Sequence, residues 1–315
     1  MPKVEGPLFS LEAGGTFQDT ITYQRYKGGT RVITKPVPTN EPSDTQLYYR
    51  YIMQRLRADW SNQSADTKAY WNQLAEIRGG HSGYNLYIQS QFQFIRHYDC
   101  FTALYLLNEN TSNNIYDVSI NQNQGMLTKY TSGDPITWAT GKNYSLGPAL
   151  SFPGIGTYVD LGNNPQLTTQ NFTIELWANA AQIDSDLNTL FCLDALPFGL
   201  WIAMSSSYKI CVLFADGSAY SILSGTTQPQ PNTWYHIVLT GENGFFRLYI
   251  NSIQENSGEE TFNVSSPSPQ ACLGASKIYL NYGNHFSGKI NQCACYSRAL
   301  NPDEILYNFN RFNSD

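Results

Sequence analysis

Phe172-Thr173-Ile174-Glu175-Leu176-Trp177-Ala178 alternates its side chains with a period of two, the spacing of a strand whose successive residues face opposite sides of a sheet. Two more runs repeat the pattern downstream, Trp234-Tyr235-His236-Ile237-Val238-Leu239 and Phe245-Phe246-Arg247-Leu248-Tyr249-Ile250. From about Tyr98 onward such runs are separated by clusters of Gly, Asn, Pro and Asp, with no helical crossover between them. Parallel neighbours need a long connection, so this spacing predicts antiparallel strands in two packed sheets. The expected fold is mainly β: an antiparallel β-sandwich of jelly-roll type over 98–315, preceded by a small α+β module over 1–97.

Helical signals are confined to that first module. Leu47, Tyr48, Tyr51, Ile52, Leu56 and Trp60 fall on one helical stripe, and this helix opens after Ser43-Asp44 and closes near Ser61. Ser64 is the expected N-cap of a second helix that carries Ala69, Trp71, Leu74, Ala75 and Ile77 and stops at Gly79-Gly80. The run from Tyr84 to Phe92 reads as a third helix or as an irregular apolar segment. Ahead of these, Thr20–Tyr26 and Arg31–Thr34 read as a β-hairpin around Lys27-Gly28-Gly29, with Pro36, Pro38 and Pro42 as a stiff connector. Arg25, Lys27, Arg31 and Lys35 give the hairpin a basic rim, either solvated or turned to an acidic surface.

Composition narrows the function. Charged residues make up 14% of the 315, against about 25% in a typical soluble protein, while Tyr (22), Phe (16) and Gly (24) are plentiful. A net charge of -6 supplies no drive toward nucleic acid. No apolar run is long enough to span a membrane, and the N-terminus lacks the basic-then-apolar pattern of a secretory signal. The six cysteines are too sparse for a disulfide scaffold; Cys293 and Cys295 share one strand face, and buried thiols are expected, with one or two disulfides as the alternative.

Along 98–312 the landmarks resemble, in order, the laminin-G-like and concanavalin A-like lectin/glucanase domains. They begin with Thr102–Glu109, Tyr116–Ser119 and Gln124-Gly125, then Ala149–Gly154 and Tyr158–Leu161. They continue through Thr233–Val238 and Arg247–Asn251 to Phe286–Ile290 and Tyr296–Ile305. The last piece also has a direct reading: Asn301 caps a short helix, Pro302 takes its first position, and Ile305 and Phe309 fold back on the sandwich edge. Residues 1–97 are similar, more loosely, to a module of phage structural proteins. The two resemblances together imply a non-catalytic structural protein on a virion or other extracellular surface, such as a capsid decoration, head fibre or spike. Its partners would be other structural proteins bound through 1–97, glycans, and further copies of the chain. A secreted glycan-binding lectin or filament subunit is the alternative.

The chemistry each reading needs is specific. Glycoside hydrolysis needs two carboxyls across a cleft, and Glu175 stands alone in its strand. His81, His97, His236 and His285 accompany no nucleophile motif. No catalytic residue is therefore assigned. Calcium, which the family resemblance implies for some members, would draw on Asp117, Asn121 and Asn291, but Asn291-Gln292 replaces the acids expected near the last strand. Glycan stacking needs exposed aromatic faces beside polar groups, for which Trp201, Tyr208, Tyr220, Tyr282 and His285 are the candidates.

Overall fold

The computed structural model describes residues 15–17, 21–26, 29–34, 41–79, 82–98, 100–129, 134–163, 167, 171–267, 269–278 and 281–313. Met1–Leu47 and Tyr48–Asp315 form two compact units. In the first, Gly15–Phe17, Ile21–Tyr26 and Gly29–Thr34 make a three-stranded antiparallel sheet, so the hairpin gains a strand that has no alternating signature of its own. Lys27, Lys35, Pro36 and Pro38, and the side chains of Arg25 and Arg31, lie outside the described residues.

Three helices follow: α1 (Asp44–Asn62), α2 (Ala65–Ile77) and α3 (Gly83–His97). Ser64 and Ser82 cap the second and third by accepting the amides of Thr67 and Asn85. The ambiguous run after Gly83 is thus helical, because Ser82 supplies a cap and Tyr87, Ile88, Gln91, Phe94 and Ile95 repeat on one buried face. On α1, Ile52 and Leu56 are fully buried, whereas Leu47 in the first turn is 50% exposed.

Among the described residues, the strands from Phe101 onward form two eight-stranded sheets and a small three-stranded one of Ala195–Leu196, Ser276–Ile278 and Asn281–Gly283. The first runs in the order Ile253–Glu259, Phe245–Ile250, Trp234–Glu242, Phe172–Ala180, Ser287–Tyr296, Pro148–Pro153, Thr137–Thr140, with Phe101–Tyr105 also paired to Ser287–Tyr296. The second runs Tyr220–Ser224, Lys209–Asp216, Phe198–Ser205, Asn188–Leu193, Gln270–Leu273, Thr157–Asn163, Gly125–Lys129, Asn114–Ile115. Ile174, Leu176, Ile237, Leu239, Cys293 and Cys295 from the first sheet meet Phe191, Leu200, Ile202, Val212 and Phe214 from the second in one apolar core. None of the six cysteines forms a disulfide, and five are buried. Cys192 and Cys272 face each other across neighbouring strands on the outer side of the second sheet.

The outer face of the first sheet is also buried. Val238, Tyr249, Ala294 and Tyr296 on that face cluster with Ile52, Leu56, Trp71, Tyr87, Phe94 and Tyr98 from the helices. α1 from Tyr48 onward, α2 and α3 are therefore a roof over the sandwich, in one compact unit with it.

The roof is completed by a fourth helix, α4 (Pro302–Arg311), whose capping box joins the Asn301 side chain to the Glu304 amide and the Glu304 carboxyl to the Asn301 amide. Ile305 and Asn308 are buried, and Phe309 stacks on Trp177 at 5.8 Å. α4 thus lies over the central strands, not at an edge. Asn301→Ala removes the cap acceptor and should lower unfolding stability by about 1 kcal/mol in urea denaturation; an unchanged midpoint would show that the Arg298–Glu304 ion pair holds the helix start by itself.

Candidate functional site

Glu175 projects from the outer face of Phe172–Ala180, two residues from Trp177, and is 0% exposed. Its Oε1 lies 2.8 Å from His236 Nε2 on the adjacent strand. Its Oε2 accepts the Tyr296 hydroxyl and the Asn308 amide, each at 2.8 Å. Asn308 Oδ1 in turn accepts the Tyr98 hydroxyl at 2.8 Å. The network thus joins three sheet strands to α3's C-cap and to α4. Burial first, and the Glu175 charge second, push the Tyr296 hydroxyl well above its ordinary range. The imidazole tautomer with its proton on Nε2 serves the carboxyl and leaves Nδ1 as a bare lone pair, beside Trp177 and Phe309. Glu175, His236, Tyr296 and Asn308 are all 0% exposed, so the arrangement clamps elements together.

A first open cleft, of about 660 Å³, lies at the rim where the edge hairpins of the two sheets end. Tyr220, 70% exposed, begins the edge strand Tyr220–Ser224 and lines it together with Asp216, Asn243, Glu259 and Glu260. Amides of Ser218 and Ala219 and the Ser218 hydroxyl converge on Asp216 Oδ1 at 2.8 Å. The Ala219 and Ser218 amides hold this carboxyl below the usual range. Ser221 donates to Glu260, which fixes a second acceptor on the opposite wall.

A second cleft, of about 610 Å³, opens between the α1–α2 turn and the loop around Gly141–Pro148. Gln63, Asp66 and Thr67 line the helical side, and Trp138, Thr140 and Tyr144 the sandwich side. Tyr144 stacks on Tyr70 of α2 at 5.2 Å and is 42% exposed. Gly141 and Gly147 approach so closely that a Cβ on Gly141 would fall 2.0 Å from the Gly147 carbonyl oxygen. That contact requires glycine at 141, and a φ of +74° favours it at 147.

The residues expected to hold calcium fall elsewhere. Both Asp117 oxygens are filled: Oδ1 accepts the Leu104 and Ser119 amides, and Oδ2 accepts the Asn123 amide and the Ser119 hydroxyl. Four donors saturate a carboxylate, and burial pushes this one up, against what a cation site needs. Asn121 donates to the Thr102 carbonyl. Asn291 belongs to another cluster, clamping the Lys142 amide and the Pro148 carbonyl. These residues do not fit a calcium site. Among the described residues no group of three or more His, Cys, Asp or Glu is arranged to hold a metal.

The aromatic candidates also separate. Trp201 is 1% exposed, packed with Tyr158, Cys192, Leu213 and Ala275, and presents no face to a sugar. Its strand reads as alternating, but partly buried residues such as Leu196 pack against the outer side of the second sheet there. Tyr208 (45% exposed) and Tyr220 stand at opposite ends of the strand Lys209–Asp216, roughly 20 Å apart at about 3.3 Å per residue. His285 is half-buried, and the Tyr282 side chain lies outside the described residues. Of the four candidates whose side chains are described, Tyr220 alone borders either cleft described above. Gln63, Trp138 and Tyr144 were not anticipated; aromatics flanking Thr140-Gly141-Lys142-Asn143 were the available signal, whereas Gln63 joins them only through the tertiary fold.

No curated protein matches the sequence. Among solved structures, domain 4 of AbnA, a GH43 extracellular arabinanase from Geobacillus stearothermophilus solved with arabinotriose, aligns with a TM-score of 0.55 at 21% identity, over 66% of this chain and 97% of that domain. The binding domain of botulinum neurotoxin DC, in complex with SialylT, aligns with a TM-score of 0.52 at 13% identity, over 68% of this chain and 51% of that one. The alignment thus spans about half of the toxin domain. Both share the two-sheet fold. Residues 153–306 match the family model of the concanavalin A-like lectin/glucanases superfamily.

Proposed function

We propose that the chain is a non-catalytic display protein whose sandwich engages carbohydrate on an extracellular or virion surface. The observation that carries this reading is the rim cleft: an exposed ring, Tyr220, beside the fixed acceptors Asp216 and Glu260 and the amide of Asn243. A sugar ring needs this combination, an apolar face to stack on and acceptors for its hydroxyls. The relatives in this fold that were solved with arabinotriose and with SialylT support a carbohydrate ligand. Glu175, the acid in the central strand, is sealed under α4 and is better employed as a clamp than as an acid catalyst. The unit Met1–Leu47, distinct from the roofed sandwich, is the part available for attachment to a larger assembly.

A glycan array probed with the full chain tests the reading. The expected result is a specific hit whose half-saturating concentration rises ten-fold or more in Tyr220→Ala, with an unchanged thermal midpoint. An array without hits, or one indifferent to the substitution, would remove the rim site.

A further inference from the structure

We infer that the second cleft, between the α1–α2 turn and the Gly141–Pro148 loop, is a separate binding site for a small, uncharged, hydroxyl-rich ring such as a neutral saccharide unit. The inference does not depend on the rim reading, because no lining residue is shared between the clefts.

The walls are held from several directions. Asn143 Nδ2 and Lys142 Nζ both donate to the Phe312 carbonyl at 2.6 Å, just beyond α4. Asn291 grips the loop from the last strand, and Gln91 of α3 donates to the Ser145 carbonyl at 3.3 Å. The Tyr70 stack fixes the Tyr144 ring. Such a loop does not need to be ordered by its ligand, which saves the entropy that binding otherwise costs.

The chemistry of the lining selects the ligand class. Gln63 is 4% exposed; its Nε2 donates to the Asn108 carbonyl at 3.3 Å, and its Oε1 is buried with no partner. An orphan buried acceptor costs about 1 to 3 kcal/mol, which a donor arriving from the cleft would recover. Thr67 and Thr140 add hydroxyls, and Trp138 and Tyr144 supply the apolar surface. Lys142 directs its amine to the Phe312 carbonyl and over the Trp177 ring at 4.7 Å, away from any anion in the cleft. Asp66 then leaves the lining with no free cation, so an anionic ligand is disfavoured and a donor-rich neutral one favoured. A volume of about 610 Å³ suits one or two such rings. In this arrangement the helices complete a site that neither they nor the sandwich strands possess alone.

Saturation-transfer NMR on the full chain with galactose, glucose, mannose, arabinose, N-acetylglucosamine and N-acetylgalactosamine tests the site. Three variants accompany it: Tyr144→Ala, Thr140→Arg at an exposed position on the cleft wall, and Tyr220→Ala. At least one sugar should bind and lose ten-fold or more of its affinity in both cleft variants, while Tyr220→Ala leaves it unchanged. Should Tyr144→Ala fail to fold, Thr140→Arg alone carries the test, because it adds bulk without removing the Tyr70 stack. The site is overturned when none of the six sugars binds or when binding ignores the cleft variants. Binding lost only in Tyr220→Ala also overturns it, and leaves the rim reading standing.

Discussion

Glu175→Ala should destabilise the chain by about 3 to 5 kcal/mol, the largest loss expected from any single polar substitution here, because it removes the shared partner of a buried network. Three side chains, from two sheet strands and α4, would lose their shared partner at once; His236 and Tyr296 would be left buried with an unsatisfied group each, while the Asn308 amide keeps only the Tyr296 hydroxyl. Glu175→Gln keeps the shape and one acceptor oxygen, so its cost should be smaller, about 1 to 3 kcal/mol. Urea denaturation of both variants measures this. Should Glu175→Ala instead retain wild-type stability while carbohydrate turnover in the parent chain disappears, the clamp would be wrong and the carboxyl would belong to an active site.

The same residue shows what local pattern conveys and what it does not. Phe172, Ile174, Leu176 and Ala178 announce an inward face, and the structure puts them in the core. Thr173, Glu175 and Trp177 announce a polar outward face, yet all are buried, since the roof comes from α1 to α3 and α4, far away in sequence. Period-two alternation reports that a strand has two faces; it cannot report what lies over the second. Trp201 failed as a ligand candidate for the same reason on the other sheet. Local signals, by contrast, were legible where their cause is local: Ser64 and Asn301 as caps, Pro302 at the first helical turn, Cys293 and Cys295 on one face. Tyr220 was legible because it starts an edge strand after an Asp-Gly-Ser-Ala turn, where exposure is the rule. The second cleft was not, because residues 63–67 and 138–148 meet only after the roof has docked.

That docking seam should make stability fall as pH rises from about 5 to about 7. Glu109, 4% exposed beneath α1, accepts the Tyr116 amide through Oε1 at 2.8 Å, and burial pushes its carboxyl up to about 7. Arg55, whose guanidinium lies 3.7 Å over the Tyr116 ring, opposes the rise without cancelling it. Asp59 of α1 is pushed well above its range by burial and then by Glu109, and Tyr87 of α3 is raised by burial and by both acids. The folded chain therefore keeps a Glu109 proton that the unfolded chain, with an ordinary value near 4.5, gives up. Its stabilisation is complete below pH 4.5 and lost on the way to pH 7, a difference of about 3 kcal/mol at about 1.4 kcal/mol per unit. Asp59 acts in the same direction. Unfolding free energies in urea at pH 5 and pH 8 should differ by that amount, and Glu109→Gln, which retains an acceptor for the Tyr116 amide, should remove most of the gap. Equal or greater stability at pH 8 would mean that Glu109 is ionised in the fold and paired more strongly than its burial implies. The consequence reaches the second cleft, since Asn62 donates to the Glu109 carbonyl and Asn110 donates back to the Asn62 carbonyl. The α1 terminus that positions Gln63 is thus held by the same seam, and sugar affinity there should decline with the stability as pH rises.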